Sequence, residues 1–327
     1  MSTETFRAAR AIPGTAHGAN GPAVCDGATA LPRYSPLTTT VPKEFVHRAG
    51  VAEVMLTDWL REDDLHFSVA AQWPRGHAFF TSVAGCHDPL LAAETIRQAG
   101  SLLAHAEFNV PLDFQFVMWD LKLETYPEHL AIGGAPASLD MDVTCRDAKW
   151  RNNTLAGLHY DVVMYRDGQV AAVGSAGFTC MPPKVYHRVR GGRLAGTVRA
   201  LPLTAPTAPQ TVGRVSPMDV VLSATSREDR WQLRVDTNHP VLFEHPVDHV
   251  PGMMLVEAAR QAAIATSGSR SLPLSFASEF MRYIELDEPC FIEARRIPED
   301  NTQVLVTASQ NGELAFSCVV TMGLLPT

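Results

Sequence analysis

The most regular pattern of hydrophobic positions lies within residues 239–263, HPVLFEHPVDHVPGMMLVEAARQAA. After Pro251 and Gly252, the residues Met253, Met254, Val256, Ala259 and Ala263 recur at helical intervals, which predicts a mostly buried helix entered through a tight turn. Glu257 and Arg260 share one face of that helix. Burying such charges is costly unless they are paired or used. Residues 86–100, CHDPLLAAETIRQAG, repeat the arrangement: Glu94, Arg97 and Gln98 precede Glu257, Arg260 and Gln261 by 163 positions each, and each trio is preceded by a proline, Pro89 or Pro251, and an aliphatic run. Two such trios in matched apolar surroundings indicate an internal duplication.

The rest of the pattern is mainly extended. VHRAGVAEVMLTDWL and HFSVAAQWP read as two short strands, with His47 and Arg48 opening the first and His77 just beyond the second. Read as strand ends, His47 and Arg48 acquire no function. After the first helix come extended stretches at 112–125, 130–149, 154–166 and 169–181, with an Asp167-Gly168 hairpin signal between the last two. Residues 182–214 are rich in Pro, Gly and Thr and read as a linker, and its Lys184, Arg188, Arg190 and Arg193 read as a solvated face. Attraction of an acidic carrier protein is the lesser alternative for that charge. The second half repeats the plan with strands at 220–225 and 231–235, the helix at 252–267, and strands at 274–284, 290–297, 303–309 and 314–322, with Asn311-Gly312 turning between the last two. Each half is thus a helix wrapped by an antiparallel sheet. The expected class is α+β, a double hotdog whose repeats form a pseudo-dimer within one chain. The expected divisions are a loose arm at 1–40, repeat 1 at 41–182, a linker at 183–214 and repeat 2 at 215–327.

Composition narrows the function. A chain of 327 residues with 46% hydrophobic and 19% charged positions is long enough for two ordinary cores. No window reaches 18 uncharged apolar residues and the N-terminus lacks a basic-then-apolar leader, so a cytoplasmic protein without a membrane span is expected. Six cysteines without C-x-x-C spacing read as reduced structural thiols. A net charge of −8 without a Lys/Arg cluster argues against nucleic acid as a partner.

Taken together, FEHPVDHVPGMMLVEAARQA, VHRAGVAEVMLTDW, AQWPRGH and DPLLAAETIRQAG resemble the A-factor biosynthesis family of streptomycetes, over nearly the whole chain after about residue 40. The second helix and its approach are also similar, more distantly, to the active-site segment of hotdog β-hydroxyacyl-carrier-protein dehydratases. The Pro251-to-Glu257 step of six is kept, and His245-Pro246 stands near the dehydratase His, in a loop two residues shorter. The A-factor resemblance implies an acyltransferase that moves a β-ketoacyl group from acyl carrier protein to the hydroxyl of dihydroxyacetone phosphate. The ester would lead to a γ-butyrolactone, butenolide or furan signal controlling antibiotic production. Alternatives are a hotdog dehydratase or thioesterase, or an acyl-binding regulator without catalysis.

That chemistry needs a base, an oxyanion site, a cation for phosphate and an apolar slot. A carboxylate on an apolar helix should have a raised pKa, which nominates Glu257 and Glu94 as bases. The free amides after Pro251, at Gly252 and Met253, suit an oxyanion. Arg260 or Arg97 suits phosphate. Carried over from dehydratase dimers, His245 would face Glu94, and His77 or His87 would face Glu257. Repeat 1 has Asp88-Pro89 where repeat 2 has its Pro-Gly turn, so the site using Glu257 and Arg260 is favoured as the working one. Gln98, Gln261, Asp88, Asp248 and His249 are further expected substrate contacts. The competing reading makes each Glu–Arg pair a buried structural ion pair. No cofactor is expected, and no metal, because the Pro-studded His loop lacks helical ligand spacing. A monomeric pseudo-dimer or a homodimer both fit.

Overall fold

The computed structural model describes residues 39–193, 198–268 and 271–324. In the first half lie β1 (Leu56–Arg61), β2 (His66–Trp73), α1 (Leu90–Ala106), β3 (Gln115–Thr125), β4 (Ala137–Arg151), β5 (Thr154–Arg166) and β6 (Gln169–Met181). After α2 (Pro183–Val189) the second half supplies β7 (Leu222–Ala224), β8 (Arg230–Leu233), α3 (Gly252–Ser267), β9 (Ser271–Phe280), β10 (Cys290–Ile297), β11 (Asp300–Gln310) and β12 (Glu313–Leu324). These strands make one antiparallel sheet ordered β1-β2-β4-β5-β6-β3-β9-β12-β11-β10-β8-β7. Substituting each strand for its counterpart in the other half leaves the order unchanged, as a duplicated double hotdog requires. The halves join where β3 pairs β9, Leu121 opposite Ser278.

Both long helices lie inside this wrap. Leu90, Leu91, Ile96, Leu102 and Leu103 of α1 are all buried, so the helix is apolar around most of its circumference. Gly100 lets the sheet close on it: a Cβ there would stand 2.5 Å from the Tyr160 ring, whose hydroxyl donates to the Ile96 carbonyl at 2.7 Å. The two signalled hairpins form, with Asp167 and Gly168 at φ 52° and 75° and Asn311 and Gly312 at 54° and 80°.

Two stretches differ from the sequence expectation. Residues 46–55 are not strand: 3-10 turns at Lys43–Val46 and Val51–Glu53 precede β1, because Val46, Val54 and Met55 are buried at spacings no single strand face provides. The expected linker is also not a solvated face throughout. Lys184 and Arg188 are exposed, but Tyr186 and Arg190 turn inward from α2 and its C-cap, and Arg214 is buried. The guanidinium groups of Arg190 and Arg214 have carboxylate partners inside, which composition alone does not show. Cys86, Cys145, Cys180, Cys290 and Cys318 are free and buried, and Cys25 lies outside the described residues. No helix among the described residues is long and apolar enough to cross a membrane.

Candidate active site

Each trio closes on itself in the same way. Arg97 donates Nε to Glu94 Oε2 at 2.9 Å and Nη2 to Oε1 at 2.7 Å, and Gln98 adds a bond to Oε1 at 2.7 Å. In α3, Arg260 donates Nε to Glu257 Oε2 and Nη2 to Oε1, both at 2.8 Å, and Gln261 adds a bond at 2.5 Å. The glutamines also serve backbone. Gln98 bridges the Met55 amide and the Glu53 carbonyl, and Gln261 bridges the Val221 amide and the Asp219 carbonyl.

A second guanidinium completes each cluster. Arg48 reaches Glu94 Oε1 with Nε at 3.0 Å and Nη2 at 2.7 Å, and Arg214 reaches Glu257 with Nε at 2.8 Å and Nη2 at 2.6 Å. Each also ties the halves together: Arg48 donates to the Val241 carbonyl and to Glu244, and Arg214 donates to the Phe79 carbonyl. Sequence reasoning missed both. Their signal is a repeat of Val46-His47-Arg48 at Val212-Gly213-Arg214, 166 positions on and three out of step with the trios. In each copy a 3-10 turn ends in a left-handed residue, His47 at φ 54° or Gly213 at φ 68°, which swings the Arg inward.

These contacts overturn the expectation of a raised carboxylate pKa. Burial pushes Glu94 up, but the charges of Arg48 and Arg97 and the bonds from Arg97 and Gln98 outweigh it and hold the group at about 2. Glu257 is held at about 2 in the same way by Arg214 and Arg260. Carboxylates so saturated with donors are anchors for guanidinium groups and not proton acceptors near neutrality. Because their folded pKa lies below the ordinary value of 4.5, they contribute stability that is present above that value and lost as pH falls from 4.5 towards 2. Urea midpoints measured across that interval should fall, and Glu257→Gln should flatten the fall.

The two clusters differ in access. A cavity of about 640 Å3 runs between the halves. Arg97, Arg48, His47 and Ser101 line it from repeat 1, and His245, His249, Gly252 and Met253 line it from repeat 2. Phe114, Phe116, Met118 and Phe178 furnish an apolar wall. Neither Glu257 nor Arg260 lines it. The side chain of Arg97 is 17% exposed and that of Arg260 3%. The cause is the residue one turn on: α1 has the small Ser101, whereas α3 has Ile264, which packs over Gly213 beside Arg260.

The other expected residues fall into groups. His245 is exposed and lines the cavity that Arg97 lines, whereas Glu94 does not line it. His77 does not pair with Glu257. Its Nδ1 accepts the Phe79 and Phe80 amides at 3.1 Å, and Nε2 faces Glu53 at 3.3 Å. His239 makes the matching contacts with Val241, Leu242 and Asp219. Both histidines therefore shape the loops whose carbonyls receive Arg214 and Arg48. His87 is buried against Trp73 with Nε2 unpartnered among the described residues. Asp88 caps α1 through the Leu90 amide and lies 4.0 Å from Arg214. Asp248 is buried and hydrogen-bonded to His249. At the start of α3, the bonds to the Pro251 carbonyl come from Met254 and Leu255, and the amides of Gly252 and Met253, two residues that line the cavity, precede the first helical donors.

Residues 29–182 and 196–325 match the A-factor biosynthesis hotdog domain. A 2-oxo-3-(phosphooxy)propyl 3-oxoalkanoate synthase of Streptomyces virginiae is 55% identical over 288 residues, covering 87% of this chain and 98% of that protein. A synthase of the same name from Streptomyces griseus is 42% identical over 282 residues, covering 85% and 93%. Among solved structures, an acyl-ACP thioesterase from Bacteroides thetaiotaomicron aligns with a TM-score of 0.47 at 11% identity, over 78% of this chain and 98% of that one.

Proposed function

The chain belongs to the A-factor biosynthesis hotdog family, and from that membership we propose that it is an acyltransferase esterifying the hydroxyl of dihydroxyacetone phosphate with a β-ketoacyl group. The product is a 2-oxo-3-(phosphooxy)propyl 3-oxoalkanoate, the compound in its relatives' names. Such an ester is a precursor of a γ-butyrolactone, butenolide or furan signal. The donor is the acyl thioester of an acyl carrier protein, and the work is done in one pocket, that of the first trio.

The single observation that carries the site assignment is that Arg97 and the start of α3 line one cavity. Arg97 is locked by Glu94 and by the Val46 carbonyl, while its Nη1 has no protein partner among the described residues. A guanidinium fixed on one edge and open on the other is suited to receive phosphate. The Gly252 and Met253 amides stand where an oxyanion would develop, and the Phe114–Phe116–Phe178 wall takes the acyl chain. Glu257, Arg260, Gln261 and Arg214 hold repeat 2 together and position α3. Glu94 and Gln98 play that supporting part in the working site.

Incubating the protein with a β-ketoacyl-carrier-protein thioester and dihydroxyacetone phosphate should yield the phosphorylated ester and free carrier thiol, followed by mass spectrometry. Free β-keto acid in place of ester would assign a thioesterase, and an untouched thioester would remove the enzymatic reading.

A further inference from the structure

We propose that His249 is the general base that takes the proton from the acceptor hydroxyl, oriented by Asp248 and, behind it, by Tyr186 and Arg190 of the segment between the repeats. This rests on the acyl-transfer reading above and names the group that reading leaves open.

His249 lies two residues before Pro251, on the cavity wall and next to the α3 amides. Its Nδ1 is 2.7 Å from Asp248 Oδ1. The same oxygen accepts the Tyr186 hydroxyl at 2.7 Å, and Oδ2 accepts Arg190 Nε at 2.9 Å. Arg190 is itself fixed by two bonds of 2.8 Å to Glu285 and by stacking over Tyr283 at 4.2 Å. Tyr283 meets the His249 ring edge-on at 4.8 Å, and the His249 backbone bridges Glu285. A carboxylate receiving donors from Tyr, Arg and His stays ionised; burial raises Asp248, but those bonds prevail and lower it. As an ionised carboxylate only accepts, the proton of neutral His249 sits on Nδ1. Nε2 then carries the lone pair, without a protein partner among the described residues.

The other titratable groups near the cavity are less suited. Glu94 is committed to two guanidinium groups. His47 shares its Nε2 with His105 at 2.7 Å, and burial, with Arg97 nearby, lowers it to about 3. His245 is exposed, and among the described residues its ring hydrogen-bonds only to the Pro246 carbonyl. Glu244 faces Arg48 and the Gly50 amide. Arg282, also on the wall, is a cation paired with Glu313, and Tyr160 is raised by burial and donates to Ile96. His87 is buried and does not line this cavity. The step balances: the hydroxyl proton moves to Nε2 as its oxygen bonds to the thioester carbon, the oxyanion collapses, the C–S bond breaks, and the departing thiolate takes the proton from Nε2.

The full chain is assayed with the carrier-bound thioester and dihydroxyacetone phosphate. His249→Gln should lower kcat about 10²–10⁴-fold with KM for both substrates little changed, and the acidic limb of the kcat/KM profile should vanish. Asp248→Asn, which keeps the shape, should shift that limb to lower pH, and 15N spectra of the ring should show the Nδ1–H tautomer lost. A folded His249→Gln protein, by circular dichroism, that keeps its limb and stays within about threefold of wild-type kcat would overturn the proposal. If wild type releases free acid instead of ester, the acceptor assignment falls and the same variants are read on hydrolysis. No turnover of thioester by wild type removes both.

Discussion

Arg97→Ala is expected to raise KM for dihydroxyacetone phosphate about 10–10²-fold while leaving the protein folded. A hydrogen bond to a charged group is worth about 1.5–3 kcal/mol, and each 1.4 kcal/mol or so is tenfold in binding. The loss should fall on the phosphorylated acceptor and not on the thioester, because the Arg97 edge that faces the cavity is the part unbonded to protein. Glu94 keeps Arg48 as its counter-charge, so stability should drop only modestly. Initial rates with each substrate varied in turn, beside a thermal melt, test this. Equal losses for both substrates would place the phosphate elsewhere. Ser101→Ile offers an independent check, since it gives the first trio the neighbour that closes the second. It should impair the acceptor in the same way.

Glu257→Gln should show the opposite signature, a loss of about 3–5 kcal/mol in folding free energy, the range seen when one partner of a buried ion pair is removed. Gln can fill the space, but Arg214 and Arg260, at 1% and 3% side-chain exposure, would keep their charges with the shared carboxylate gone. Arg214 also bridges to the Phe79 carbonyl of the other half, so the damage should reach the contact between repeats. Urea unfolding gives the number. At a temperature where the variant remains folded, KM for both substrates should stay near wild type, since neither Glu257 nor Arg260 lines the cavity. A selective loss of acceptor binding with unchanged stability would return the working site to repeat 2.

The duplication, the two hydrophobic helices, the Asp167-Gly168 and Asn311-Gly312 hairpins and the double hotdog order follow from residue spacing, because helical and strand periodicity are local. The Glu-x-x-Arg-Gln trios were visible for the same reason. Their chemistry was read with the wrong sign: an apolar helix suggested a carboxylate seeking a proton, and two guanidinium groups supply the counter-charge instead. The decisive ones, Arg48 and Arg214, sit on turns about 40 residues before the helices in sequence, where hydropathy reads strand or linker.

By itself the sequence determined the family and the repeat, and it nominated candidate residues for an anionic, acylated substrate. Which trio the cavity reaches belonged to the tertiary structure. Ser101 and Ile264 occupy equivalent turns, and the difference could be written down from the sequence. Its effect depends on what each meets: a cavity that Ser101 lines in one half, Gly213 beneath the Ile264 side chain in the other. The Asp248–His249 pair is likewise adjacent in sequence, but Tyr186 and Arg190, about 60 positions away, reach it only once the chain has folded back. Access and long-range charge pairing are properties of surfaces brought together, and no local pattern encodes them.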